Sequence, residues 1–271
     1  MKSKTWEIRI IINPCLIGIL LWSGSVCHGK EIKNNHEVLI GSGKSFFYTA
    51  KTLGIPILKA SLKIENGTVQ QGRPLHQVQI HLDSFQKLGT LLRMKNRFTS
   101  IMEFETLQPI RYTKEIDQKG FFIKDKNYQQ ILTFDCANGK VVEKTDKKGE
   151  REIPLPPNTY DPLSIFAKYY LREEIRPGQE LRMSIYDGVK LREMVFRTRS
   201  EPAKSRMFGK VEAICLESTT SFSNFGDQEG TIRIWYLADR RKIPLLMELD
   251  LPVGNVRFEL ERVEENGQRG K

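Results

Sequence analysis

Apolar and polar residues alternate with period two along most of this chain, and only one stretch breaks into a helical rhythm. From Ile57 to Ile64, the apolar Leu58, Ala60, Leu62 and Ile64 are separated by Lys59, Ser61 and Lys63. Val78, Ile80 and Leu82 alternate with Gln77, Gln79 and His81. Leu181, Met183 and Ile185 alternate with Arg182 and Ser184, and Val256, Phe258 and Leu260 with Arg257, Glu259 and Glu261. Successive strand side chains point to opposite faces, so each run reads as a strand with one buried face. Turn signals such as Asn66-Gly67, Asn138-Gly139, Asp187-Gly188 and Gly209 separate the runs. Short strands joined this way predict an antiparallel meander of about twelve strands. No GxGxxG turn or strand–helix–strand rhythm appears, which argues against a doubly wound fold.

The exception lies between Ile153 and Arg172. Asp161 is placed to cap a helix, and Pro162 suits its first position, where a missing amide costs nothing. Leu163, Phe166, Tyr170 and Leu171 give it a broad apolar side. Arg172 favours the helix dipole, Glu173 and Glu174 oppose it, and Arg176-Pro177-Gly178 is the expected stop. Several strands are apolar on both faces: Phe46-Phe47-Tyr48, Phe121-Phe122-Ile123, Ile234 to Leu237 and Ile243 to Met247. Something has to cover the second face, whether the helix, a second sheet, barrel closure or a bound apolar molecule. A helix only about 20 Å long cannot cover a large sheet. The expectation is a mainly β protein: a large curved antiparallel sheet, an incomplete barrel or a two-layer β fold, with one helix near 161–174 laid against it.

Residues 1–29 read as a secretory signal peptide, with basic Lys2, Lys4 and Arg9, an apolar run from Ile10 to Trp22, and small Ser23, Gly24 and Ser25. The alternatives are lipidation at Cys27 or an uncleaved anchor. A flexible lead over 30–44, a single β domain over 45–263 and a flexible tail over 264–271 would follow. Location would then be exported, in the periplasm or associated with the outer membrane. No later segment is apolar for long enough to cross a membrane as a helix. The chain carries a net charge of +10, and losing Lys2, Lys4, Arg9 and Glu7 with the signal lowers it by two to +8. Much of the surplus falls on Lys190, Arg192, Arg197, Arg199, Lys204, Arg206 and Lys210, which suits anionic envelope components; nucleic acid is not expected of an exported chain without stacking motifs. Cys136 and Cys215 are the cysteines beyond the signal, and they are either a disulfide pair or two free thiols.

Catalytic patterns are sparse. Gly41 to Ser45 resembles the end of a phosphate-binding loop, but Val38 stands where its first glycine belongs. His76 and His81, five apart on one strand, face opposite sides, and no HExxH, CxxC or GxSxG spacing occurs. No metal or cofactor is expected. Glu103 with Glu105 and Glu259 with Glu261 share strand faces and read as solvated.

The Asp161-Pro162-Leu163-Ser164 helix start, its aromatic helix and closing Arg172 resemble the centre of a bacterial exported family named domain of unknown function 3108. Ile234-Trp235-Tyr236-Leu237-Ala238-Asp239-Arg240-Arg241-Lys242-Ile243-Pro244, followed by Val253-Gly254-Asn255-Val256, resembles that family's closing hairpins. The resemblance spans about 45–262, and the family has no established activity. It makes Asp161 a candidate beyond its capping role. Arg172 is a candidate for pairing with a ligand headgroup, and Arg240 and Arg241, at a hairpin tip with Asp239, for holding an anionic headgroup or partner protein. Trp235, on a strand apolar on both faces, is the candidate contact for an apolar ligand. The expected function is a non-enzymatic envelope binding or scaffold protein, with an apolar or lipid ligand in view. The alternative is a carboxylate-based hydrolase of envelope glycan or lipid, using Asp161 and a strand glutamate.

Overall fold

The structure, a computed structural model, describes residues 43–265 apart from 71–72, 90, 121–122, 124, 147–148, 223–227 and 252–253. The expected signal peptide, Cys27, nearly all of the expected lead, Phe121, Phe122 and most of the expected tail lie outside the described residues. Strands β1 (Lys44–Thr52), β2 (Ile55–Gln70), β3 (Arg73–Ser84) and β4 (Leu92–Glu103) are followed by β5 (Pro109–Gly120), β6 (Lys126–Asp135), β7 (Lys140–Thr145) and β8 (Gly149–Pro154). A short β9 (Thr159–Tyr160) leads into helix α1 (Pro162–Ala167), which continues as a π-helical turn over Lys168–Arg172. Then come β10 (Glu180–Tyr186), β11 (Leu191–Ser205), β12 (Gly209–Phe222), β13 (Gln228–Leu237), β14 (Pro244–Leu251) and β15 (Gly254–Glu265).

All fifteen strands belong to one sheet, ordered β8-β7-β6-β5-β4-β3-β2-β1-β15-β14-β13-β12-β11-β10-β9. The chain begins in the middle, meanders out to β8, re-enters at the far edge and meanders inward until β15 pairs with β1. The pairing is antiparallel throughout except for β9, which lies parallel to β10 because it enters after the crossover. The sheet has to roll up. Laid flat at about 4.8 Å per strand it would be roughly 65 Å wide. Its two edge strands are nevertheless joined by residues 155–158, a link reaching less than about 20 Å. Side chains stitch the closure. Lys114 on β5 donates to the Asp187 carbonyl (2.7 Å), Gln130 on β6 to the Gly188 carbonyl (2.8 Å), and the Tyr186 hydroxyl on β10 to Glu143 on β7 (3.2 Å). Register breaks at Phe47/Tyr48, Ala50/Lys51, Glu65/Thr68, Ile101/Met102 and Trp235/Tyr236 add the local bending that curvature needs.

The helical stretch lies where expected, over residues 162–172. All six residues of α1 are buried, so the face of the sheet it is laid against is the inner one, and the roll encloses it. Its end comes at Arg172; Glu173 is already extended, before the Arg176-Pro177-Gly178 stop is reached. With α1 inside, the interior is nearly full. The cavity left among Tyr48, Leu62, Leu163, Phe166, Tyr236 and Phe258 is about 40 Å³. A small-molecule pocket is typically about 300–1,000 Å³.

The second apolar face of β13 and β14 is covered by the far end of the β11–β12 hairpin. Glu201 accepts a bond from the Trp235 indole (2.5 Å), the Arg241 guanidinium lies 5.5 Å from the Phe208 ring, and Arg206 pairs with Glu261 on β15 (2.7 Å). A hairpin that reaches β15 from β12 has to cross over the strands between them. Phe47 is covered in a different way, by the Arg262 guanidinium 4.1 Å from its ring centre.

Candidate functional site

At the end of the roll where β13 turns into β14, a groove of about 610 Å³ opens. One wall is the segment leaving the π-helical turn, with Leu171, Arg172 and Ile175; the other is the turn carrying Leu237, Asp239, Arg240 and Lys242. Tyr236 lines both this groove and the small interior cavity, and its buried hydroxyl has no hydrogen-bond partner among the described residues.

The groove is assembled from the helix outward. Asp161 Oδ1 accepts from the Leu163 and Ser164 amides (2.7 and 3.0 Å), and the Ser164 hydroxyl accepts from the Asp161 amide (3.1 Å) in a reciprocal capping box. Asp161 Oδ2 accepts from Ser100 on β4 (2.7 Å), which ties the helix start to the sheet. Burial pushes the Asp161 carboxyl up, against the pull of Ser100 and the helix amides. At the other end, Lys242 Nζ donates to the Tyr169 and Glu173 carbonyls (2.8 Å each). These are carbonyls that a helix end leaves unpaired. The cation that Glu173 and Glu174 fail to supply arrives from the β13–β14 turn. Desolvation lowers the Lys242 pKa to about 8, with Glu173 and Glu174 pulling it back up.

Charges in the groove are mostly matched. Arg176 pairs with Glu174 (2.5 Å), and Arg172 donates to the Phe104 carbonyl (2.7 Å) with Glu105 at 3.8 Å. Arg241 grips Asp239 through Nε and Nη2 (2.9 and 2.7 Å). Burial works to raise the Asp239 carboxyl, but the Arg241 guanidinium and amide outweigh it and hold it below the usual range. Arg240 makes no hydrogen bond or ion pair among the described residues and is exposed at the groove's edge.

Of the residues picked out in the sequence, Arg172 and Arg240 thus meet across one groove, and Arg241 stands just outside it, bound to Asp239. Asp161 is fully buried with both oxygens occupied. Trp235 lines neither groove nor cavity; it is 8% exposed beneath the β11–β12 hairpin. The disulfide does not form. Cys136 is an exposed free thiol after β6 whose Sγ is 3.7 Å from the Pro109 carbonyl, and Cys215 is a buried free thiol on β12, in register with Trp235. Although Cys136 is exposed as a residue, partial burial of its Sγ beside Pro109 raises its thiol, and fuller burial raises Cys215 to about 12. Among the described residues, no three His, Cys, Asp or Glu converge to hold a metal, and no helix is long and apolar enough to cross a membrane. Sequence reasoning missed Tyr236 as a shared wall and Lys242 as the helix tie. The positive φ of Lys242 (45°) that aims it inward leaves no mark in composition or periodicity.

No curated protein matches this chain. A crystal structure described as a beta-barrel-like protein of domain of unknown function DUF1849 from Brucella abortus is similar to it, with a TM-score of 0.52 and 10% identity, over 83% of this chain and 98% of that one. At that identity the likeness concerns the fold, a barrel-like roll of sheet. Residues 47–261 match the family described as "Protein of unknown function (DUF3108)", and the chain belongs to that family.

Proposed function

We propose that this protein is an exported, non-catalytic binding module of the bacterial cell envelope, and that its groove takes an amphiphile with an acidic head and an apolar tail. The observation that carries this is Arg240, a guanidinium without an acidic partner, beside Leu171, Ile175, Leu237 and Tyr236. A guanidinium fork suits a carboxylate or phosphate, and the apolar wall suits a chain. The filled interior speaks against an acyl chain carried inside the roll, so the surface groove is the better seat. Asp161, sealed from water by the helix and Ser100, has no route to a substrate, which weighs against the hydrolase reading.

The test uses short-chain phosphatidylglycerol below its micelle concentration, with short-chain phosphatidylcholine as the neutral comparison. Calorimetry should show preference for the anionic lipid, and Arg240→Glu should weaken it at least about tenfold, or about 1.4 kcal/mol. Equal affinity for both lipids, or an Arg240→Glu protein that binds like wild type, would overturn the reading.

A further inference from the structure

The turn joining β1 to β2 displays a leucine in water at a backbone cost. Thr52 pairs with Ile55, leaving Leu53-Gly54 as a two-residue loop with φ of 50° and 77°. Positive φ at both positions marks a type I′ turn, which favours Asn-Gly or Gly-Gly because a bulky side chain is strained there. Leu53 is 92% exposed. The other non-glycine residues with positive φ among those described have evident reasons. Leu107 is fully buried, Asn158 is a residue that tolerates this conformation, and Lys242 reaches two carbonyls. Leu53 has no such return inside the fold, and retained strain of this kind marks functional surfaces.

Its neighbours fit one purpose. Ile55 is 59% exposed on the same turn, and Leu91, just before β4, is 52% exposed at the same end of the sheet. Between the two turns Phe85 carries the ammonium groups of Lys59 and Lys87, 5.5 and 5.8 Å from its ring. Neither lysine enters an ion pair among the described residues. A few aliphatic side chains on separate turns are too small an area for a stable protein interface, which needs about 800 Å² per partner. Aliphatic tips beside unpaired lysines match the boundary of an anionic bilayer, where the chains enter the headgroup region and the ammonium groups meet lipid charge. We infer that the Leu53–Ile55–Leu91 tip docks this protein on an anionic lipid surface. β1 ends at this tip, while β13 ends and β14 begins at the groove, so antiparallel order puts docking surface and groove at opposite ends. The two functions are separable by mutation.

The test is sedimentation of the full chain with vesicles of phosphatidylcholine containing about 30% phosphatidylglycerol, against pure phosphatidylcholine. Leu53→Asn is the decisive variant, because asparagine relieves the turn and should hold or raise the melting temperature. Its partition onto anionic vesicles should fall about tenfold. Lys87→Glu should lower partition severalfold, with the difference fading in about 0.5 M salt. Leu53→Asn, which lies outside the groove, should leave calorimetric binding of monomeric short-chain phosphatidylglycerol unchanged, so loss of the groove reading and loss of this one are told apart. The inference fails if Leu53→Asn partitions within about twofold of wild type, or if pure phosphatidylcholine binds as well. It also fails if Leu53→Asn abolishes self-association of the chain in place of vesicle binding.

Discussion

Lys242 shows how one side chain joins two parts of the molecule. Its ammonium closes the end of the π-helical turn from across the groove, and it is held there with a pKa of about 8 through desolvation. An unfolded lysine titrates at about 10.4. Between these limits the unfolded chain binds more protons than the folded one, so this group makes stability rise with pH from about 8 to about 10. The buried Tyr48, Tyr170 and Tyr236, whose hydroxyls burial holds above their ordinary value, act in the opposite sense, but only once pH passes about 10. Urea unfolding of wild type and Lys242→Met at pH about 7.5 and about 9.5 isolates the effect. The wild-type advantage should grow with pH, and an unchanged difference would remove Lys242 from this role. Asp161 is the contrasting case. Its part was legible, because a capping residue, a proline and a hydroxyl three positions on form a local pattern. The partner of Lys242 is some seventy residues away in sequence, and no local pattern reports it.

Among the elements, the strands were the most legible and the covers over them the least. The runs at Leu58 to Ile64, Val78 to Leu82 and Val256 to Leu260 bury the faces that alternation assigned to the core. Fifteen strands form where about twelve were expected, partly because β7, β8 and β9 are short and β8 is almost wholly exposed, leaving no alternation to read. The basic surplus on β11 was legible as charge but not as partners. Arg192 pairs with Asp187 (2.8 Å) inside the closure, and Arg199 pairs with Glu201 and Glu217 (2.7 and 3.3 Å). Arg199 also opens a ladder of ion pairs across the outer face, through Glu217, Arg233, Glu248, Arg257 and Glu259 to Lys51 on β1. Its members are partly exposed, and such pairs contribute about 0–1 kcal/mol each. Arg233→Ala, which loses Glu217, Glu248 and Asp250 together, should therefore cost only about 1–2 kcal/mol and less in high salt. Phe166→Ala in the enclosed helix should cost about 3–5 kcal/mol with little salt dependence. Denaturant unfolding in low and high salt ranks the two. If Arg233→Ala were the more damaging change, the sheet would be held by its charged outside and not by the helix within.

At the scale of the whole molecule, the question is what keeps a sheet this wide rolled, since β8 and β9 are not hydrogen-bonded neighbours. The connection through residues 155–158 brings the edges near, but four residues leave freedom that side chains must remove. The Asp187-Gly188 turn does this, with Lys114 on one carbonyl and Gln130 on the next. Asp187 itself caps the turn through the Val189 and Lys190 amides (2.8 and 2.9 Å) and holds buried Arg192. The sequence displayed Asp187-Gly188 as an ordinary hairpin turn; that it is also a contact with β5 and β6 follows only from closure. Gly188 has a φ of 80°, and an added Cβ would lie 2.7 Å from the Gln130 side-chain oxygen. Gly209, at the tip of the β11–β12 hairpin, has a φ of 73° with nothing within 4 Å of an added Cβ. Alanine strains both backbones about equally, by roughly 1 kcal/mol or more, but only Gly188→Ala displaces Gln130 from the closure. It should lose about 1–3 kcal/mol more than Gly209→Ala, as a buried bond is broken. Amides of β9 and β10 should then exchange hydrogen faster than those of the central β1 and β15, because the roll would open at its edges first. If the two alanine variants were equally stable and exchanged alike, the Asp187-Gly188 turn would be only a hairpin, and the connection with the enclosed helix would suffice to hold the sheet closed.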